Sequence, residues 1–180
     1  MRAVKVSVQV VALAAVAGML GLLVWRVTHR TAPPKVGGPA PAFSALRLDG
    51  PGRLALRSLR GKAVVINFFQ SYCVPCKGEA AALERAYGSA RGNDVVFLGV
   101  DYWDSISDGR KFVRAHGVTY DVVRDPGGNI ADAYGVTGTP ETYFVDRRGR
   151  LVGAHILGRI DQAQNRELFR QSLAVAARRS

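Results

Sequence analysis

The stretch that decides the fold is Ala63-Val64-Val65-Ile66-Asn67-Phe68-Phe69-Gln70-Ser71-Tyr72-Cys73-Val74-Pro75-Cys76. An apolar run of this length reads as a buried strand, and the residues from Lys77 to Arg91 read as a helix. The strand therefore delivers Cys73 to a helix N-terminus. There the unpaired backbone N–H groups and the positive end of the helix dipole favour a thiolate. The thiolate is the reactive form, and C-x-x-C sites lower the first cysteine's pKa from its free value of about 8.5. Pro75 falls in the first turn, where its missing N–H costs nothing. Cys76 follows almost one turn later, close enough to close a small disulfide ring. These are the only two cysteines among the 180 residues. The stretch reads as a dithiol/disulfide exchange centre.

Two other uses of the pair are weaker. A structural disulfide between residues three apart closes almost no loop and gains little chain entropy. A zinc site needs four ligands, and besides the thiols the chain offers only His29, His116 and His155. His29 lies in a linker-like segment, so His116 and His155 would both have to converge on the cysteines. No metal ligand set is expected.

Toward the N-terminus, Val6 to Trp25 is an apolar run broken only by Ser7 and Gln9. Twenty residues at ~1.5 Å rise span ~30 Å, enough for a bilayer core. Trp25 sits where an interfacial aromatic belongs, with Arg26 and Arg30 behind it. The small residues Ala12, Ala14, Ala15 and Ala17 lie mid-run, and the exit Val24-Trp25-Arg26-Val27-Thr28-His29 lacks a small-x-small cleavage pattern. An uncleaved signal anchor is favoured over a cleaved signal peptide. Flanking positive charge nearly balances, but the short N-terminal tail favours a cytoplasmic start and an exported body. The expected organisation is a cytoplasmic tail (1–5), a transmembrane signal anchor (6–25), a Pro/Gly-rich tether (26–40) and one domain (41–180).

The net charge of +11 looks like a nucleic-acid signal. Five of the basic residues lie in the first 40 positions with no acid beside them, leaving 20 basic against 14 acidic, or +6, for the rest. Those are scattered, from Arg47 and Arg53 to Arg124 and Arg147, without an aromatic-interleaved patch. No nucleic-acid partner is expected; a solvated surface near anionic lipid fits better.

Within the domain, Leu46–Leu48 and Leu54–Leu56 flank Asp49-Gly50-Pro51-Gly52 as a short hairpin. Beyond the dithiol helix come a strand at Asp94–Asp101, a helix at Ser105–His116 with Gly117 as its C′ residue, and a strand at Thr119–Val123. A short helix at Asn129–Tyr134 ends at Gly135. A hairpin follows, Glu141–Asp146 with Leu151–Ile156, around Arg147-Arg148-Gly149-Arg150. A final helix runs to about Ala177, capped by Asp161. The order implies an α/β layer architecture.

Cys73-Val74-Pro75-Cys76 after a buried strand, followed by Gly138-Thr139-Pro140-Glu141-Thr142-Tyr143-Phe144-Val145-Asp146, resembles the thioredoxin fold, and most closely its membrane-anchored TlpA/ResA/DsbE (CcmG) branch. Gly38-Pro39-Ala40-Pro41-Ala42-Phe43, Leu48-Asp49-Gly50 and Leu59-Arg60-Gly61-Lys62 are similar to that branch's N-terminal extension. Tyr134-Gly135-Val136 leading into Gly138–Thr142 is similar to its cytochrome c maturation members. The resemblance covers roughly residues 38–175. It implies a mixed central sheet flanked by helices, an N-terminal β-hairpin extension, and no cofactor beyond the redox-active Cys73–Cys76 pair. It further implies that Cys73 is the exposed attacking thiol, Cys76 the buried resolving thiol, and Thr139–Pro140 a cis peptide facing them where an extended substrate pairs. An ordinary trans turn proline is the alternative.

Glu79 matches an acid found near the dithiol in this branch. It would disfavour a nearby thiolate and relay a proton to Cys76, or it merely complements the helix dipole; both readings stand. The branch usually carries Trp directly before the first cysteine, and this chain has Tyr72, a substrate-side aromatic with an added hydroxyl. The implied activity is a membrane-anchored thiol:disulfide oxidoreductase that reduces extracytoplasmic protein disulfides, apocytochrome c first among them, and is recharged by a membrane thiol-electron transporter of the DsbD/CcdA type. The rivals are an oxidase or isomerase of exported proteins on the same fold, and a non-catalytic metal- or copper-holding domain.

Overall fold

The computed structural model describes residues 2–28, 33–90, 92 and 94–178, with the side chains of residues 12–25 described in the first helix. The chain divides into two compact units, Met1–Ala32 and Pro33–Ser180. The first holds a continuous helix, α1 (Arg2–Thr28). Among the described residues, no helix is long and apolar enough to cross a membrane. Residues 6–11 of the expected span lie outside the described side chains.

The second unit is built on a mixed sheet of five strands: β3 (Ala63–Phe69), β4 (Val95–Tyr102), β5 (Asp121–Asp125), β6 (Glu141–Val145) and β7 (Leu151–Leu157). Their order is β5-β4-β3-β6-β7. β3, β4 and β5 run parallel, while β6 and β7 run antiparallel. Strand β3 is central and buried along its whole length. Its alternate residues feed two cores, as the two-residue period of a strand requires. Ala63, Val65 and Phe69 join α2 (Val74–Ala90), α3 (Ile106–Ala115) and α5 (Ala163–Ala177) through Leu83, Phe112 and Phe169. Val64, Ile66 and Phe68 face α4 (Asn129–Tyr134) and the outer hairpin of β1 (Ser44–Leu46) and β2 (Arg53–Ala55).

Most expected elements are present, the strand expected at Thr119–Val123 lying two residues later at Asp121–Asp125, and three other differences stand out. The outer hairpin pairs Ser44–Leu46 with Arg53–Ala55, two residues earlier on its first strand than the alternation suggested. Arg47 and Leu48 instead bridge to Val123 and Val122 on β5, because Leu48 is wanted in the other core and the β5 edge needs a partner. Asp161 does not cap the last helix. Gln162 holds that position without a side-chain bond, and Asp161 pairs with Arg159. Finally, residues written into the tether join the fold: Gly37 and Ala40 donate to Leu151 and Gly149, and Leu151 donates back to Gly38.

Gly153 adopts φ +69, and a Cβ there would lie 2.5 Å from the Ser172 Cβ on α5. Gly153→Ala should therefore destabilise the protein by about 1–3 kcal/mol in urea unfolding. Gly88, exposed within α2 with nothing inside 4 Å, is the contrast. There Ala should stabilise by about 0.5–1 kcal/mol.

Candidate active site

The loop between β3 and α2 is held at both ends. The Cys73 amide donates to the Gln70 carbonyl at 3.1 Å, and the Cys73 carbonyl accepts from Lys77, opening the helix. Cys73 is thus the residue ahead of the first helical position, Val74. Its Sγ accepts the Cys76 amide at 3.0 Å, as an N-capping oxygen would. The two cysteines are joined as a disulfide. Both are largely enclosed, Cys73 at 8% exposure and Cys76 at 2%. Cys73, expected to be exposed, is itself buried and recessed behind its neighbours. Its neighbours form the open rim: Tyr72 is 62% exposed and Val74 is exposed as well.

Thr139–Pro140 is cis. The Thr139 hydroxyl donates to Gln70 Oε1 at 3.0 Å. Gln70 therefore ties the dithiol loop to the cis-proline loop through its own carbonyl and side chain. Sequence reasoning missed it; the only signal is a polar residue closing an apolar strand, which must find partners once buried.

Glu79, three residues beyond Cys76 on α2, is 1% exposed. Its carboxylate accepts from Asn67 Nδ2 at 2.8 Å and from the Ile160 amide at 2.9 Å. Asn67 also donates to Thr142 on β6. Burial pushes the Glu79 pKa up to about 7 against the lowering effect of those two hydrogen bonds, and nearby Asp161 adds to the rise. A carboxyl poised there can hold or take a proton at neutral pH. An acid serving only the helix dipole would sit in solvent, so the burial weighs against that reading.

Three further acids gather at this end of the sheet. Asp104 accepts the Ser71 amide at 2.6 Å and the Ser71 hydroxyl at 3.0 Å, clamping the segment before Tyr72. Asp101, at the end of β4, is buried, and its Oδ1 has no hydrogen-bond partner. Burial raises its pKa to about 8, with Asp104 next in effect. Glu141, directly after Pro140, accepts from the Thr137 amide and hydroxyl and the Gly138 amide, and pairs with His155 at 2.7 Å. Burial alone would lift its pKa; the bonds from His155, Thr137 and Gly138 outweigh burial and hold it below the usual value.

Residues 36–154 match the AhpC/TSA family. The chain belongs to that family. Among its relatives is the thiol-disulfide oxidoreductase ResA of Halalkalibacterium halodurans, 32% identical over 128 residues, or 71% of this chain and 72% of that protein. The thiol:disulfide interchange protein DsbE of Pseudomonas fluorescens biotype C is 31% identical over 128 residues, 71% of this chain and 69% of that one. A thioredoxin-family thiol:disulfide interchange protein from Chlorobium tepidum superposes with a TM-score of 0.65 at 25% identity, covering 79% of this chain and 99% of that one. The thioredoxin-like fold expected from the motifs is the fold observed.

Two buried carboxyls with raised pKa values bind protons in the folded state that the unfolded chain releases above about pH 4. Stability should therefore fall as pH rises, through pH 7 for Glu79 and through pH 8 for Asp101, and flatten above. Melting temperature measured from pH 5 to 9 should show this slope. Glu79→Gln should remove the part ending near pH 7, and Asp101→Asn the part reaching pH 8.

Proposed function

We propose that this thioredoxin-like thiol-disulfide oxidoreductase works as a membrane-anchored reductant of extracytoplasmic protein disulfides, apocytochrome c being the leading substrate. The observation that carries the exchange reading is the Cys73–Cys76 disulfide at the start of α2, with Cys73 Sγ on a helix amide. Reduced Cys73 attacks one sulfur of a substrate disulfide as the thiolate. A bond forms between the two sulfurs and the second substrate sulfur leaves as a thiolate, which takes up a proton. Cys76 then gives up its proton, for which the Glu79 carboxylate is the nearby acceptor, and attacks Cys73 Sγ. The first substrate sulfur leaves. Two electrons have passed to the substrate, and the enzyme carries the disulfide described above.

Tyr72 and Thr139 are assigned to substrate contact, Pro140 to holding Thr139 toward the dithiol, and Glu79 to tuning and proton relay. Recharging falls to a membrane thiol-electron donor of the DsbD/CcdA type. The apolar run from Val6 to Trp25 supports the anchor, and the short N-terminal tail before it supports an extracytoplasmic domain.

The direction of electron flow rests on a contest. The helix terminus stabilises the thiolate and makes the disulfide more oxidising, the observation that favours the oxidase or isomerase reading. Buried Glu79 opposes it by disfavouring negative charge on the sulfurs. The reduction potential should lie nearer the about −270 mV of thioredoxin than the about −120 mV of a strong oxidant. Glu79→Gln should move it upward, and Cys76→Ser, but not Cys73→Ser, should accumulate mixed disulfides. An oxidant-like wild-type potential would transfer the assignment to the oxidase.

The anchor has its own check. The mature chain should fractionate with membranes and retain Val6–Trp25 by mass spectrometry; an N-terminus beyond Trp25 would mean a cleaved signal.

A further inference from the structure

Trp103 stands out on three separate observations. Its φ is +52, in the left-handed region, and Asp94 is the other non-glycine residue there among the described residues. Aspartate tolerates that region, whereas a bulky aromatic in it is strained. Its side chain is nevertheless 59% exposed, so it serves no core. And its indole occupies the space above Gly128, where a Cβ would lie 2.3 Å from Nε1. The backbone is strained to present a large apolar ring to solvent, and a glycine is kept beneath it.

The ring is carried to the dithiol. Asp104, the next residue, clamps Ser71, and Ser71 precedes Tyr72 and Cys73. The Trp103 amide is pinned to the Asp125 carbonyl at 3.1 Å, and its ring lies 5.5 Å from that of Tyr102. Each side of the clamp thus bears an exposed aromatic, Tyr72 on one and Trp103 on the other. A mixed disulfide on Cys73 brings the substrate cysteine's Cα to within about 7 Å of that of Cys73. Extended chain advances ~3.3 Å per residue, so the residues beside that cysteine must cross this rim.

We propose that Trp103 is the specificity-determining residue of the dithiol site, packing on an apolar or aromatic side chain that neighbours the target cysteine of a polypeptide disulfide. The inference rests on the thiol-disulfide exchange reading above. Tyr72, Val74 and Trp103 offer the rim no charge, and Asp104 beneath it disfavours acidic neighbours, so an apolar-flanked disulfide is accepted and an acid-flanked one is not.

The test uses the full chain in detergent micelles and two synthetic disulfide peptides that differ only in the residues beside the cysteines, Phe and Leu in one, Asp in the other. In Trp103→Ala the ratio of kcat/KM for the apolar over the acidic peptide should fall about tenfold, carried by KM, and Trp103→Phe should restore most of it. Loss of both rates by the same factor, or no loss, overturns the proposal. A second readout leaves Trp103 itself unchanged. The chain has two tryptophans, so Trp25→Phe leaves Trp103 as the sole indole. With Cys76→Ser added to trap the complex, emission should shift to shorter wavelength on the apolar peptide and not on the acidic one. Trapping with unshifted emission sinks the role of Trp103 alone; absence of any mixed disulfide with either peptide sinks the exchange reading and this inference together.

Discussion

Gln70 makes one site out of two loops. Its carbonyl receives the Cys73 amide and its side chain receives the Thr139 hydroxyl. Both loops lie at the same end of neighbouring strands, since β3 and β6 run antiparallel with Asn67 opposite Thr142. The C-terminus of β3 therefore meets the N-terminus of β6 without any long-range device. A buried amide that satisfies partners on both sides is costly to disturb, because truncating it leaves polar groups unpaired away from water. The positions of Cys73 and Thr139 are coupled through this one side chain.

Beneath that junction, Glu79 links α2, β3 and the segment after β7. Asn67 and the amide of Ile160 lie 12 and 81 positions away in sequence. Two neutral donors satisfy the carboxylate without neutralising it, so burial wins and the proton is held near neutrality. Arg159 reaches the same neighbourhood, but its guanidinium is spent on Asp161 and the Gly78 carbonyl. A full ion pair with Glu79 would have pulled its pKa down and removed it from proton traffic.

These connections explain what the sequence could and could not disclose. The strand–cysteine–helix junction was legible because it is local: an apolar run, two cysteines and a proline in fixed order. Gly117 and Gly135 were legible as helix ends, since left-handed backbone there calls for glycine, and both adopt it. Glu79 was legible as a position but not as a buried group, because its partners come from remote segments. Gln70, Asn67, Asp101 and Asp104 were not legible at all; single polar residues at strand ends look the same whether they meet solvent or each other. Asp161 misled for a related reason, since Arg159, two residues before it, competes for the carboxylate that would have capped the helix.

The buried acid–base groups of the described residues have one sign. In a protein of net charge +11, the buried ionisable side chains among the described residues, outside the cysteines and tyrosines, are Glu79, Asp101, Asp125 and Glu141. Asp101 and Asp125 close β4 and β5, and Glu141 opens β6, so three of them sit at the end of the sheet where β3 releases the dithiol. Asp125 is spent capping α4 through the Ile130 and Ala131 amides. Glu141 is spent on Thr137, Gly138 and His155, which leaves Glu79 and Asp101 as the proton-holding pair. A helix terminus contributes about 0.3–1 kcal/mol toward a thiolate. An ionised carboxylate nearby opposes it. As a thiol sheds its proton, a neighbouring carboxyl gains reason to keep one, so charge is exchanged within the site and not accumulated there.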